Sequence, residues 1–240
     1  MIALDAALSR LLTDRGYRAA FLEGRVSALD LAPEDVAAIA TSDRAQLVLT
    51  ADRLRADLLA RHHRGSGGIE ALYPATIAAW REAHPEDDGL RELMSLFLES
   101  EAYGAYRQYP FSGPGLSLEE AFHRFCAAAE IGEARVREGE FLTAMMKALL
   151  VSPDPAFALP AEVQRAPRGY WAVTSGETPI LHAAASGRLI VGAITPFLAE
   201  QLATREPSAE VDRQHGVGDE VLAAAVAQLA ALGLLEHGGG

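Results

Sequence analysis

Apolar residues recur at helical spacing through most of the first 150 positions and switch to strict alternation near residue 170. Leu4, Leu8, Leu11 and Leu12 form one stripe, broken at Gly16 and resumed from Tyr17 to Leu22. The run from Asp30 to Asp35 predicts a helix start, with Asp30 as capping acid, an early proline and acids in the first turn. Val36, Ile39, Leu47, Val48, Leu54 and Leu58 carry one or two helices to about His63, and a glycine-rich loop from Arg64 to Gly68 follows. Ile69, Leu72, Tyr73, Ile77 and Trp80 make the next stripe, stopped at His84-Pro85. Leu90, Leu93, Met94, Phe97 and Leu98 predict another, running to about Tyr103. The segment from Tyr103 to Gly115 is aromatic and rich in Pro and Gly, and it fits no regular element. Ser117 opens a capping box closed by Glu120, and Leu118, Ala121, Phe122, Phe125 and Ala129 share one face. A last helix of this part buries Leu142, Met145, Met146, Leu149 and Leu150.

Period two begins at Gly169. Tyr170, Ala172 and Thr174 fall on one face and Trp171 and Val173 on the other, and Ser175-Gly176-Glu177 turns the chain into a second strand. Ser186-Gly187 predicts a further turn and then a helix, with Thr195 as N-cap and Pro196 at its first position. Val221, Leu222, Ala225, Val226, Leu229 and Leu232 give the final helix. Gly233 ends it, and Leu234 and Leu235 return to the hairpin as a short closing strand. Four prolines between Pro153 and Pro167 read as a linker. The expected organisation is a helical domain over 1–152, a Pro-rich linker over 153–167, a small α+β winged-helix-like domain over 168–236 and a tail over 237–240.

A winged helix suggests DNA, and charge argues against it. From Ala161 onward five arginines face nine acids, and the helix from Thr195 to Thr204 carries one Glu and no base. Duplex binding depends on neutralising phosphates, so no nucleic-acid partner is expected. The net charge of the whole chain is −12, which disfavours anionic surfaces. The single cysteine, Cys126, leaves no internal disulfide and suits a reducing cytoplasm. No apolar run reaches membrane-spanning length and the first residues carry no signal-peptide pattern, so a cytoplasmic protein without membrane contact is expected.

The run GYWAVTSGETPILHAAASGRLIVGAITPFLAEQLA, with VLAAAVAQLAALGLLE after it, resembles the PqqD-like peptide-recognition fold of ribosomal peptide natural-product (RiPP) biosynthesis. Such members carry Asp-Gly before the second helix, where this chain has Ser186-Gly187. The layout LLTDRGYRAAFLEGRVSALDLAPEDVAAI is similar to the small helical subunit of extradiol dioxygenases and related RiPP proteins. Together the two parts resemble the partner subunits of multinuclear non-haem iron oxidases that act on precursor peptides. That resemblance implies a non-catalytic partner in a heteromeric complex. It would bind the leader of a precursor peptide and hold no cofactor itself, the iron belonging to the enzyme.

An exposed hairpin edge can accept an extended peptide as an added strand, with neighbouring side chains selecting it. The groove is expected at Tyr170, Trp171, Ala172 and Val173, with Ile180 and His182 opposite and Val221 and Ala225 on the last helix. Tyr103, Tyr106, Arg107, Tyr109 and Phe111 have the composition of an interface centre and are the expected partner surface; the bland alternative is a loop packed on its own bundle. A second reading is a metal-dependent helical-bundle enzyme. Glu120 and His123 form an ExxH half-site, but no second one exists, and Glu119, His123, Cys126 and Glu130 share a face at helical spacing. The bland reading is a solvent-side face beside an apolar stripe. His62-His63 suits a helix C-terminus, and Cys126 beside Phe125 suits a small buried hydrophobe. A third reading is a winged-helix regulator or adaptor. No phosphate-binding loop, nucleophile elbow or Cys-x-x-Cys occurs.

Overall fold

The computed structural model describes residues 3–25, 29–60, 67–108, 115–155, 157–204 and 218–235. Helices α1 (Leu4–Thr13), α2 (Arg15–Leu22), α3 (Pro33–Ala40) and α4 (Arg44–Ala60) come first. Then follow α5 (Ile69–Leu72), α6 (Pro74–Ala83), α7 (Arg91–Glu99), α8 (Glu101–Gln108), α9 (Leu118–Ala128) and α10 (Ala134–Val151). Strands β1 (Gln164–Ala166), β2 (Gly169–Thr174), β3 (Ile180–Ala185) and β4 (Arg188–Ala193) form an antiparallel meander in that order. Helices α11 (Pro196–Thr204) and α12 (Asp219–Ala231) complete the described chain. It is mostly helical with one small antiparallel sheet, as the hydrophobic pattern predicts.

Side-chain caps set several boundaries. Asp14 divides α1 from α2 by accepting from the Tyr17 amide at 2.8 Å. Ser117 caps α9 through the Glu120 amide at 3.0 Å, half of the expected capping box; the Glu120 carboxylate turns instead to Arg124 at 2.6 Å. Thr195 caps α11 through the Leu198 amide, and Gly233, at φ +80°, follows α12 as expected. The capping role expected of Asp30 is not found. Asp30 has φ +51°, the position before α3 is Ala32, and Pro33 starts the helix with Glu34 and Asp35 in its first turn.

A long-range cap orients α6. Pro74 has no amide to offer, and the Glu140 carboxylate from α10 accepts from the Ala75 amide at 2.5 Å, the Thr76 amide at 3.1 Å and the Thr76 hydroxyl at 2.6 Å. Glu140→Ala is expected to cost about 1–3 kcal/mol, because it removes the acceptor that serves the donors at a helix start. A urea titration checks this, and a change well under 0.5 kcal/mol would mean that water serves the same donors.

The pattern misplaced five features. The stripe ending near Tyr103 is two helices, since Ser100 stops α7 and its hydroxyl receives the Tyr103 amide at the start of α8. The segment from Tyr103 is therefore helical as far as Gln108. The stretch after Ser186-Gly187 is a strand, β4, before it becomes a helix. β1 lies inside the Pro-rich stretch. Leu234 and Leu235 do return to the sheet's packing, but they follow α12 as a turn and not as a strand. The paired tyrosine and phenylalanine at 109 and 111, the histidines at 62 and 63 and the tail at 237–240 lie outside the described residues.

Strands β2 and β3 are covered on both faces. Tyr170, Ala172 and Ala184 join the main core, with Phe97, Phe122 and Met145 from the helices. Phe122 meets Tyr73 and Phe97 edge-on at 4.9 and 5.1 Å, contacts that add about 0.5–1.5 kcal/mol each beyond area burial. Trp171, Leu181, Ala183 and Ala185 point the other way and pack with Leu202, Leu229, Leu234 and Leu235. Helix α10 is thus wedged between α6 and α9 on one side and β2–β3 on the other. Residues of α1, α2 and α3 form their own cluster around Leu11, Phe21 and Leu29. Among the described residues no helix is long and apolar enough to cross a membrane.

Candidate functional site: the groove between α10 and the β4 edge

Two-residue alternation builds one wall of this site. The register pairs His182 with Ala172 and Val191, so the three side chains emerge on the face turned to α10. The turn from β3 to β4 has positive φ at both Ser186 (+50°) and Gly187 (+72°), the geometry that matches strand twist in a tight hairpin. Among the described residues no strand pairs with the outer edge of β4, and five of its six residues are exposed. Val191 is 47% and Leu189 37% accessible.

Helix α10 supplies the opposite wall through Val136, Gly139, Thr143 and Lys147, and Leu72 and Pro74 close one end. The cavity between them is about 570 Å³. At its floor sits His182, only 2% exposed. Its Nδ1 lies 3.0 Å from the Thr143 hydroxyl, a contact either imidazole tautomer can make. Its Nε2 is buried and has no hydrogen-bond partner among the described residues. Burial holds the imidazole at a pKa of about 4, so it is neutral at pH 7. The charged lining groups are partly engaged elsewhere: Glu140 caps α6, and Arg135 donates to the Thr178 carbonyl at 2.9 Å. What remains is a mostly apolar trough, with Glu133 and Lys147 also in its lining, a neutral imidazole at its base and, among the described residues, an unpaired backbone edge beside it.

The residues expected at the peptide groove divide into three places. Ile180 and His182 line the trough. Tyr170, Trp171 and Ala172 are 6%, 7% and 0% exposed and are packed into the two cores, with Val173 half-buried beside Trp171. The β2 backbone is an interior strand, paired with β1 at Gly169–Trp171 and with β3 along its whole length. Val221 is exposed and Ala225 is buried against Phe197, both remote in the layering from the α10 face. The lining contributed by α10 and the exposed edge of β4 were not anticipated. The one signal for β4 is the alternation Leu189, Val191, Ala193 directly after a turn, overshadowed by the helix signal at Thr195-Pro196.

The other expected sites are dispersed. Tyr103 is buried against Phe97 and tilted against Tyr106, which is half-buried. The side chain of residue 107, an arginine, is not among those described. On α9, Glu119 is buried, Glu120 is paired with Arg124 and His123 stacks on Phe141 at 4.4 Å. Glu130 lies beyond the end of α9 at φ +53°, so the helical face drawn through Glu119, His123 and Glu130 is broken before its last member. Among the described residues no group of three or more His, Cys, Asp or Glu has a metal-holding arrangement. Cys126 is fully buried, and burial pushes its thiol up to about 12. No family model, no curated protein and no solved structure matches the chain.

Proposed function

We propose that this chain is a non-catalytic peptide-binding subunit that holds a ribosomal precursor peptide for a multinuclear non-haem iron oxidase. The observation that carries the reading is the open β4 edge beside the trough. A peptide laid along β4 would continue the antiparallel ladder as a fifth strand, its backbone satisfying β4 donors and acceptors. Every second side chain would then fall on the α10 side, over Val191 and toward Ile180 and His182. Apolar side chains suit that trough, and a donor or acceptor of the peptide suits His182 Nε2. Affinity would come from the backbone and selectivity from the trough. A small antiparallel sheet with α11 and α12 packed against one face is compatible with a winged-helix or PqqD-like module. In this reading the iron belongs to the partner enzyme.

The test is recovery of the tagged full chain from its native lysate, with mass spectrometry of what it retains and metal analysis of the chain alone. A short peptide and an iron enzyme on a metal-free chain are expected. Val191→Asp places a charge at the trough while replacing an exposed side chain, so stability should shift by no more than about 0.5 kcal/mol. Peptide affinity should fall by about tenfold or more. Stoichiometric metal on the isolated chain, with no peptide retained, would overturn the reading.

A further inference from the structure

A second cavity, of about 530 Å³, lies in the helical part, where α2, α4 and α7 converge. Four arginines line it, Arg15 and Arg18 from α2, Arg55 from α4 and Arg91 from α7, against two acids, Asp52 and Glu92. That is an excess of positive charge in a chain whose net charge is −12. The guanidiniums differ in how they are held. Arg15 sits at the rim, bonded to Glu92 at 2.6 Å and Glu99 at 3.1 Å. Arg18 is 8% exposed, and its Nη1 donates to the Leu11 and Leu12 carbonyls that end α1. Arg55 has a side chain only 11% exposed, and among the described residues it pairs with Asp52 at 3.2 Å, itself 69% exposed. The Nε of Arg55 is buried with no hydrogen-bond partner among the described residues.

Two largely buried guanidiniums thus line a common space, one of them with a donor that is unused among the described residues. Burial, and then the charge of Arg55, hold the Arg18 guanidinium below its ordinary pKa, which is the electrostatic sign of that crowding. Burying like charges together is unfavourable unless an anion bridges them. Arginines arriving from three helices are not coplanar. They suit a tetrahedral oxyanion with several acceptor oxygens better than one planar carboxylate, which a single arginine fork satisfies.

We propose that this cavity is a binding site for the phosphate group of a small molecule, held by Arg55 and Arg18 with Arg91 closing over it from the α7 side. The remaining volume takes the organic part of that molecule. The site is independent of the peptide trough and stands or falls separately from it.

The test uses the full chain at low ionic strength, with inorganic phosphate and pyrophosphate as probes and succinate as the carboxylate arm, read by calorimetry and thermal melting. Phosphate or pyrophosphate should bind and raise Tm, with succinate weaker. Arg55→Met and Arg91→Met should each lower phosphate affinity by about tenfold or more. Arg91 is exposed, so its variant remains folded even if Arg55→Met does not. Arg53→Met, an exposed arginine of the same helix outside the cavity, should bind as the parent does. No phosphate or pyrophosphate binding in the millimolar range, equal or tighter succinate binding, or a loss equally large in Arg53→Met would overturn the proposal.

Discussion

Gly169→Ala is expected to destabilise the sheet by more than about 3 kcal/mol, the range reserved for backbone clashes and lost cores. Gly169 opens β2 at φ +150°, which L side chains rarely adopt. A Cβ built there would sit 1.9 Å from the Ala184 carbonyl oxygen and 2.8 Å from the Ala185 Cα. Both are backbone atoms of β3, so no rotamer change relieves the contact. The ladder must open where Gly169 pairs with Ala185 and Tyr170 with Ala184. The displacement reaches both cores, because Tyr170 packs toward α10 and Trp171 toward α11 and α12. Urea unfolding at pH 7 checks this, and a loss below about 1 kcal/mol would mean that the two strands separate there at little cost.

The second large effect is on acid stability. His123 and His182 both have folded pKa values of about 4 against an ordinary 6.5, from burial in each case and, for His123, also from the charge of Arg137. As pH falls below 6.5 the unfolded chain takes up protons that these imidazoles do not. Their stabilisation is therefore complete above about pH 6.5 and is lost progressively toward pH 4. The upper bound is about 3 kcal/mol for each imidazole, and half of that for the pair still dominates the profile. Glu120, whose carboxyl burial raises, works in the opposite sense, favouring the fold as pH falls. The measurement is Tm against pH for the parent and for the His123→Phe, His182→Gln double variant. The parent should lose stability between pH 6.5 and 4, and the variant should show a flatter profile. Parallel profiles would assign the sensitivity elsewhere. Asp14 is one candidate, its carboxylate held low, despite burial, by the Tyr17 amide and Arg10.

How much of this was legible follows from where each feature gets its cause. Local causes were readable: the helical stripe Leu142, Met145, Met146, Leu149, the alternation from Tyr170 to Thr174, the helix start at Pro196 and the stop at Gly233 all lie in short windows. Long-range causes were not. Nothing near Glu140 in the sequence says that it caps a helix more than sixty residues earlier. Helix α10 is apolar enough to be buried on two sides, and no stripe on it says that a sheet covers the second. For the same reason the alternation at Tyr170 and Trp171 reads as one exposed and one buried face, whereas both faces are covered. Ile180 and His182 were identifiable as strand partners, but their trough exists only because Thr143 and Val136 arrive opposite them.

The burial of Cys126 bears on the company this protein can keep. With its thiol pushed up to about 12, only on the order of one molecule in 10⁵ carries a thiolate at pH 7. The chain has no second cysteine to pair with it. It therefore offers almost nothing to thiol–disulfide exchange or to peroxide, and sulfur on a neighbouring molecule can change oxidation state without drawing this chain into the traffic.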